Sequence, residues 1–197
     1  MAEITFARVT AADLPLLRDW LDAPHWREWW GDPDEEIAAI AAMVEGRDST
    51  RPFLFLVDGE PAGYIQVWRI ADARSEPWLT EAPWLALLGD GCVGVDLSIG
   101  PAAMLSRGLG SAALAGFVAR LRAEGHEDIV IDPDPRNARA IGAYRKAGFR
   151  PIPEAEGRFP GVLLMRHDPA AVSPPSSPPY RPAGRRSSGS GSPFPAT

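Results

Sequence analysis

A single acidic residue interrupts an apolar stretch near the middle of the chain, because Asp96 lies within the run from Cys92 to Ile99. A carboxylate buried without a partner is costly, so it is either held by neighbouring donors or serves a function. Such a carboxylate can bind an ammonium group and accept its proton when the amine attacks an electrophile. We therefore predict that Asp96 binds and deprotonates an amine. The alternative is a structural carboxylate held by backbone N–H groups or an arginine.

A glycine-rich segment downstream of this run could bind phosphate. Residues 106–111 include Gly108 and Gly110 and precede an apolar helical stripe, so their N–H groups would face one concavity at a helix N-terminus. Arg107 can add a cation. The pattern Gly108-x-Gly-x-x-Ala113 also fits a dinucleotide-binding turn, but seven residues separate it from the strand and a second nucleotide-binding half is missing. The spacing favours a single pyrophosphate loop.

The elements that must position these groups can be read from apolar periodicity and from turn and cap residues. Strands are predicted over residues 4–8, 53–57, 62–70, 92–99, 128–131, 149–152 and 162–165. Helices are predicted after Thr10, after the Asp32-Pro33 cap, after Gly108, and over residues 137–147. Residues 71–91 show no period and are predicted to form a long, functional loop. The order β-α-α-β-β-β-α-β-α-β-β predicts an α/β domain.

Charge and composition exclude several kinds of partner. The 197 residues carry a formal net charge of −6, and the last 29 residues contain three arginines and no acid, which leaves −9 for residues 1–168. Such a surface repels nucleic-acid phosphate and attracts cationic ligands. No apolar stretch approaches the roughly 18 residues of a membrane span, and no signal peptide is evident. We predict no nucleic-acid partner, no membrane association and a cytoplasmic location.

The only cysteine of the chain, Cys92, lies in an apolar strand and is predicted to be an inert, buried thiol. With one cysteine and three widely spaced histidines, His25, His126 and His167, the sequence predicts no disulfide and no metal site. Any group transfer is therefore expected to occur directly, without an acyl-cysteine intermediate.

The C-terminal segment differs from the rest of the chain. Residues 169–197 contain eight Pro, seven Ser and three Gly, and they offer almost no hydrophobic face. We predict one domain over residues 1–168 and a disordered, solvated tail over 169–197. A proline-motif ligand within residues 176–182 is the alternative for this tail.

Two segments together carry a family resemblance. Leu105-Ser-Arg-Gly-Leu-Gly110 resembles the acetyl-CoA pyrophosphate loop of the GNAT acyltransferases, although Leu105 replaces the usual Gln or Arg. About 27 residues downstream, the pattern Asn137-x-x-Ala-x-x-x-Tyr-x-x-x-Gly-Phe149 resembles the C-terminal signature of that superfamily. The resemblance implies a mixed, mostly antiparallel sheet flanked by helices. It also implies that the strands at residues 92–99 and 128–131 splay apart where acetyl-CoA binds.

The same resemblance implies which residues bind acetyl-CoA as a co-substrate. These are Leu97, Ser98, Ile99, Ser106, Arg107, Gly108, Leu109, Gly110, Ser111, Asn137 and Tyr144. It further implies that the Tyr144 hydroxyl protonates the departing thiolate. From the residues alone, Asn137 could equally be a helix N-cap and Tyr144 a core residue.

A narrower resemblance covers roughly residues 4–166. The segments His25–Gly31, Asp58–Gln66, Gly94–Asp96 and Asp132–Pro135 resemble the bacterial aminoglycoside 6′-N-acetyltransferases, which acetylate an amine of a polycationic sugar. With the aromatic walls expected for a sugar cleft, the predicted substrate-binding residues are Trp30, Gln66, Trp84, Asp90, Asp96 and Asp132. Trp20 and Trp68 are predicted to serve packing only.

Other functions remain open from the sequence. The chain could acylate a siderophore hydroxylysine or a protein amine, although a long Trp- and acid-rich loop would close a peptide groove. It could also be a non-catalytic acyl-CoA-binding module whose tail recruits a partner. The sequence predicts a monomer or a homodimer.

Overall fold

A computed structural model describes residues 2–171 of the chain. The tail predicted from residue 169 therefore lies outside the described residues, except for Pro169–Ala171, which form one 3-10 turn. Within residues 2–171, no helix has both the length and the apolarity needed to cross a membrane.

A seven-stranded sheet forms the centre of the fold, in the order β1-β2-β3-β4-β5-β7-β6. All neighbouring strands are antiparallel except the parallel pair β4 and β5. The strands are β1 Ile4–Arg8, β2 Arg51–Val57, β3 Glu60–Arg69, β4 Val93–Ile99, β5 Ile129–Ile131, β6 Phe149–Pro151 and β7 Met165–His167. The turn Asp58-Gly59 joins β2 to β3, as predicted, with both residues at positive φ.

Within the described part of the chain, six α-helices surround the sheet. They are α1 Leu14–Leu21, α2 Pro24–Trp30, α3 Pro33–Val44, α4 Trp78–Glu81, α5 Leu109–Ala123 and α6 Ala138–Lys146. The Asp32 carboxylate caps α3 by accepting hydrogen bonds from the N–H groups of Asp34 and Glu35. The α/β class and the mostly antiparallel sheet confirm the prediction.

The sheet buries both faces because residues alternate along β2. Phe53 packs with the α5 residues Leu114 and Phe117 on one face. Leu54 packs with helices α1 to α3 on the other. Helices α5 and α3 therefore lie on opposite sides of the sheet, and β3 and β4 between them are held rigidly.

The splay between β4 and β5 is present. Only Val93 and Gly94 of β4 pair with β5, although β4 continues to Ile99. In an antiparallel ladder, peptide groups point alternately to one neighbour and then away from it. Since the Gly100 N–H donates to the Ala62 carbonyl beside β3, the peptide groups of Leu97 and Ile99 face the gap left by β5.

Three parts of the fold differ from the sequence prediction. Helix α2 was not predicted, because it has only seven residues and is stabilised mainly by the complete burial of Trp26. Residues 71–91 are not one irregular loop, since they contain α4 and the 3-10 turn Pro83–Leu87, whose Trp84 and Leu85 are buried. The last strand begins at Met165, three residues later than predicted, because residues 162–164 make only irregular backbone contacts.

Candidate active site

A cavity of about 650 Å³ opens where β4 leaves β5. Its walls come from the second half of β4, the loop before α5, the first turns of α6, and helices α2 and α3. Most of the residues predicted to bind acetyl-CoA line it: Leu97, Ser98, Ile99, Ser106, Gly108, Leu109, Gly110, Ser111, Asn137 and Tyr144. Arg107 is exposed and does not belong to the lining.

The glycine-rich loop has the backbone needed for an anion cradle. Gly108 is the N-cap of α5 with φ of +81°, and Ser106 has φ of +60°, so the chain turns sharply before the helix. A Cβ placed on Gly108 would meet no protein atom within 4 Å, which means that the space over the loop is open. The glycine is required by its left-handed backbone, and the free N–H groups of the first turn of α5 face an open volume.

Asp96 is held by two side-chain donors from β3. Gln66 lies opposite Asp96 in the strand register, and its Nε2 donates to Oδ2 at 2.9 Å. Trp68 Nε1 donates to the same oxygen at 3.0 Å. Burial raises the pKa of Asp96, and these two hydrogen bonds oppose the rise. Within the described residues Oδ1 takes no hydrogen bond, so one carboxylate oxygen is anchored and the other is free for a ligand.

Trp68 therefore does more than pack, which the sequence did not predict. Its ring passes directly over Gly94, where a Cβ would lie 2.3 Å from the nearest ring atom. The absence of a side chain at Gly94 allows the indole to reach Asp96. Gln66 is oriented in turn by Tyr64, whose hydroxyl donates to Gln66 Oε1 at 2.6 Å. The result is a chain of hydrogen bonds from β3 that fixes the Asp96 carboxylate.

Two further carboxylates share the cavity with Asp96. Asp132 follows β5, and its pKa is raised to about 7 by burial and by the charge of Asp96. Glu36, on α3, was not predicted, and burial together with Asp96 also raises its pKa to about 7. A sequence signal existed, since Glu36 stands one helical turn before the buried Ile40 on the inner stripe of α3. The three carboxyl groups make this the acidic end of the cavity.

Tyr144 is both a core residue and part of the cavity lining. It is buried in the core and contacts Phe149 at a ring distance of 6.5 Å, and it also lines the cavity. Burial raises the pKa of Tyr144, with smaller contributions from Asp96 and Asp132, so the phenol keeps its proton. Asn137 is the N-cap of α6 and accepts a hydrogen bond from the Ala140 N–H at 3.0 Å.

The tryptophans divide between cavity and core. Trp30 lines the cavity beside Trp29, and its ring is 5.5 Å from that of Tyr64 in an edge-on arrangement. Trp84 is only 4% exposed and packs behind Trp68, with ring centroids 6.3 Å apart. The prediction of Trp84 as a cavity wall is therefore wrong, because its ring is buried in a core cluster with Ile70 and Leu88.

Asp90 is also separate from the cavity. Its side chain is 81% exposed and forms an ion pair with Arg74 on the protein surface. Asp90, six residues before Asp96, was predicted to bind substrate because it resembles a second acidic substrate contact of the aminoglycoside acetyltransferases. The chain between them turns at Gly91 into an extended strand, which carries the two carboxylates apart.

Cys92 has the environment of an unreactive thiol. It is 1% exposed, and burial raises its pKa to about 12. It packs with Ile70 and Trp84, in a cluster outside the cavity. Among residues 2–171, no group of three His, Cys, Asp or Glu side chains is arranged to hold a metal ion.

The cavity also has a cationic end. Arg139 and Lys146, at the two ends of one face of α6, belong to its lining, with Gly142 and Ala143 between them on the same face. The acids of β4, β5 and α3 thus occupy one end of the cavity. The cations of α6 and the N-terminus of α5 occupy the other, an arrangement suited to a ligand pair of opposite charge.

Comparison with known proteins defines the class to which this site belongs. A family model described as an acetyltransferase (GNAT) domain matches residues 9–156, well over half of the chain. The chain belongs to the GNAT acetyltransferase family, and the family predicted from its two sequence motifs is confirmed.

The names of individual relatives state a substrate. Curated proteins named aminoglycoside N(6')-acetyltransferase type 1, from Klebsiella pneumoniae and Serratia marcescens, are each 32% identical over 154 residues. The alignment covers 74% of this chain and 73% of each relative. A solved structure of AAC(6')-Ib in complex with paromomycin and acetyl-CoA superposes with a TM-score of 0.70 at 28% identity, covering 86% of this chain and 95% of that one.

Proposed function

We propose that the protein is an acetyl-CoA-dependent N-acetyltransferase that acetylates an amine of an aminoglycoside. The observation that carries the proposal is the free Oδ1 of Asp96, which faces a cavity with acids at one end and a phosphate cradle at the other. The names and ligands of the relatives support the same substrate and co-substrate.

The residues around the splay fit acetyl-CoA. The open volume over Gly108 and the free N–H groups of the first turn of α5 suit a pyrophosphate. The Leu97 peptide group and the Ile99 N–H suit the amides of the pantetheine arm. Arg139 and Lys146 suit the remaining phosphate at the cavity mouth. When bound there, acetyl-CoA supplies the acetyl group as a thioester.

The acidic end of the cavity selects a cationic acceptor. Asp96, Asp132 and Glu36 would hold ammonium groups, while Gln66 and the faces of Trp29 and Trp30 line the space for a sugar ring. A bound polycation would also favour the ionised forms of Asp132 and Glu36, whose pKa values are near 7 without it. Substrate binding and carboxylate ionisation therefore reinforce each other.

Two residues move protons in the proposed reaction. An amine attacks only in its neutral form, so Asp96 Oδ1 accepts a proton from the bound ammonium while Gln66 and Trp68 keep the carboxylate in place. Tyr144, which retains its phenolic proton, donates it to the sulfur as the carbon–sulfur bond breaks. The acylated nitrogen then loses its second proton to the Tyr144 oxygen, and Asp96 releases its own proton to solvent. Because Cys92 is unreactive and outside the cavity, the acceptor attacks the thioester directly within a ternary complex.

The test is a measurement of thiol release from acetyl-CoA with a matched pair of aminoglycosides. One carries an amine at the 6′ position, and the other carries a hydroxyl group there. We expect turnover only with the 6′-amine. Its product should be about 42 mass units heavier than the acceptor, the increase that one acetyl group gives. Equal turnover of both acceptors, or turnover only of a peptide or hydroxylamine, would refute the proposal.

The location and assembly of the protein stay predictions. We infer that it acts in the cytoplasm, as a monomer or a homodimer. Light scattering at several protein concentrations measures the oligomeric state.

A further inference from the structure

The short helix α2 contacts the end of β4 through two side chains. The His25 Nε2 lies 3.1 Å from the carbonyl oxygen of Ile99 and 3.0 Å from that of Gly100. The Trp26 Nε1 donates to the Ile99 oxygen at 2.7 Å. These two residues begin the segment His25–Gly31, of which His25, Trp29 and Trp30 line the cavity, whereas Trp26 is fully buried.

The Ile99 carbonyl needs donors because β4 has no strand partner on this side. β5 pairs with β4 only at Val93 and Gly94, so the gap-facing carbonyl at the far end of β4 would otherwise be an open sheet edge. Side chains of α2 occupy the place that a neighbouring strand would take. They satisfy this carbonyl without closing the gap.

The turn after β4 is also supported from α1. Gly100 lies against the Trp20 ring, where a Cβ would come within 2.4 Å of ring atoms. The end of β4 is therefore seated on α1 and tied to α2 at the same point. The His25 and Trp26 contacts thus fix the Ile99 and Gly100 carbonyls relative to α2.

We propose that His25 and Trp26 are positioning residues for acetyl-CoA. They hold the end of β4 away from β5, so that the Leu97 peptide group and the Ile99 N–H remain directed at the pantetheine arm. This inference rests on the proposed function for the identity of the ligand. It assigns a role to residues that do not touch the reacting atoms, and it makes the splay a property maintained by α2.

The geometry also determines the proton position on His25. Both neighbours of Nε2 are carbonyl oxygens, which only accept, so Nε2 must carry a hydrogen. A residue that replaces His25 must donate a hydrogen bond to keep β4 in place. Glutamine can donate from its side-chain amide, whereas methionine of similar length cannot.

The main experiment compares His25→Gln with His25→Met by calorimetric titration with CoA and by steady-state kinetics. For His25→Met we expect about a tenfold weaker CoA affinity, the effect of losing one hydrogen bond of about 1.4 kcal/mol, and an equal rise in KM for acetyl-CoA. The kcat and the KM for the amine should stay within about twofold, since Asp96 and the other groups proposed to act on the amine do not contact His25. His25→Gln should bind CoA within about threefold of the unaltered protein.

The control is His126→Met, which changes a half-buried histidine in the turn after α5, outside the cavity. It should leave CoA binding unchanged. Equal CoA affinity of His25→Met and the unaltered protein, or equal losses in His25→Gln and His25→Met, would overturn the inference. If the unaltered protein bound no CoA at all, the proposed function would fail first, so the two failures are distinguishable.

A second measurement needs no substitution. Nitrogen-15 NMR of the imidazole in the unaltered protein reports which ring nitrogen carries hydrogen. We expect His25 to be protonated at Nε2 at pH 8, with slow exchange of that hydrogen. A neutral ring protonated only at Nδ1 would overturn the inference, because Nε2 would then have no hydrogen to donate.

Discussion

Replacement of Asp96 by asparagine tests the site most directly. In Asp96→Asn, the side-chain oxygen must remain at the position of Oδ2, because Gln66 at 2.9 Å and Trp68 at 3.0 Å both donate there. The new NH₂ group then replaces Oδ1 and points into the cavity. A carboxylate oxygen that could accept a proton is replaced by an NH₂ group, which can only donate hydrogen bonds and would face the ammonium group of the substrate. The shape of the site is kept, while its basicity and its charge are lost.

The size of the effect follows from the role assigned to Asp96. General base catalysis contributes about 10²- to 10⁴-fold, so we expect kcat/KM for the amine to fall by that factor, or about 3 to 5 kcal/mol of transition-state stabilisation. The affinity for CoA should stay unchanged, because Asp96 lies at the acidic end of the cavity. Thiol release with a varied amine concentration measures the first quantity, and calorimetry with CoA measures the second.

The matched control for this variant is Asp90→Asn, which makes the same chemical change at an exposed carboxylate paired with Arg74. Its kcat/KM should remain within about twofold, since surface ion pairs contribute little. A loss below tenfold in Asp96→Asn, or a loss in Asp90→Asn comparable to it, would refute the assignment of the base.

Three further predictions concern the same cavity. Without ligand, Glu36 and Asp132 keep their protons up to about pH 7 in the folded protein, whereas the unfolded chain releases them at lower pH. The Tm should therefore fall as pH rises from 5 to 8, and Glu36→Gln should make that fall smaller. A Tm that rises over this range would contradict the prediction. Gly94→Ala puts a Cβ 2.3 Å from the Trp68 ring and should reduce the free energy of unfolding in urea by about 1–3 kcal/mol. It should also lower kcat/KM, and full activity would show that Trp68 does not support the base. Tyr144→Phe keeps the packing but removes the acid, so kcat should fall at least about tenfold with little change in KM for acetyl-CoA, and an unchanged kcat would assign proton donation elsewhere.

Local patterns predicted the backbone elements from which we expect acetyl-CoA binding. The glycine-rich loop at Gly108 and the helix that begins after Asn137 each depend on residues close together in the sequence, and both formed as expected. The position of Asp96 on a central strand was also visible, because a lone acid in an apolar run is a local signal.

The acceptor end depends on contacts between distant segments, which a local pattern does not contain. Trp68 and Asp96 are 28 residues apart, and His25 and Ile99 are 74 apart. Trp30 and Trp84 looked equivalent in the sequence, yet the first lines the cavity and the second is buried. What separated them was the set of neighbours that each ring met after folding, and this set depends on the whole sheet.

The solitary thiol of Cys92 has a practical consequence for spectroscopy. Because it is inaccessible and stays protonated near neutral pH, a maleimide dye should react only with a cysteine introduced deliberately. Trp78, which is 55% exposed on α4, offers an attachment point remote from the core. A fluorophore there, paired with a second one at another introduced cysteine, would report distances within the protein with no need to remove a native cysteine first.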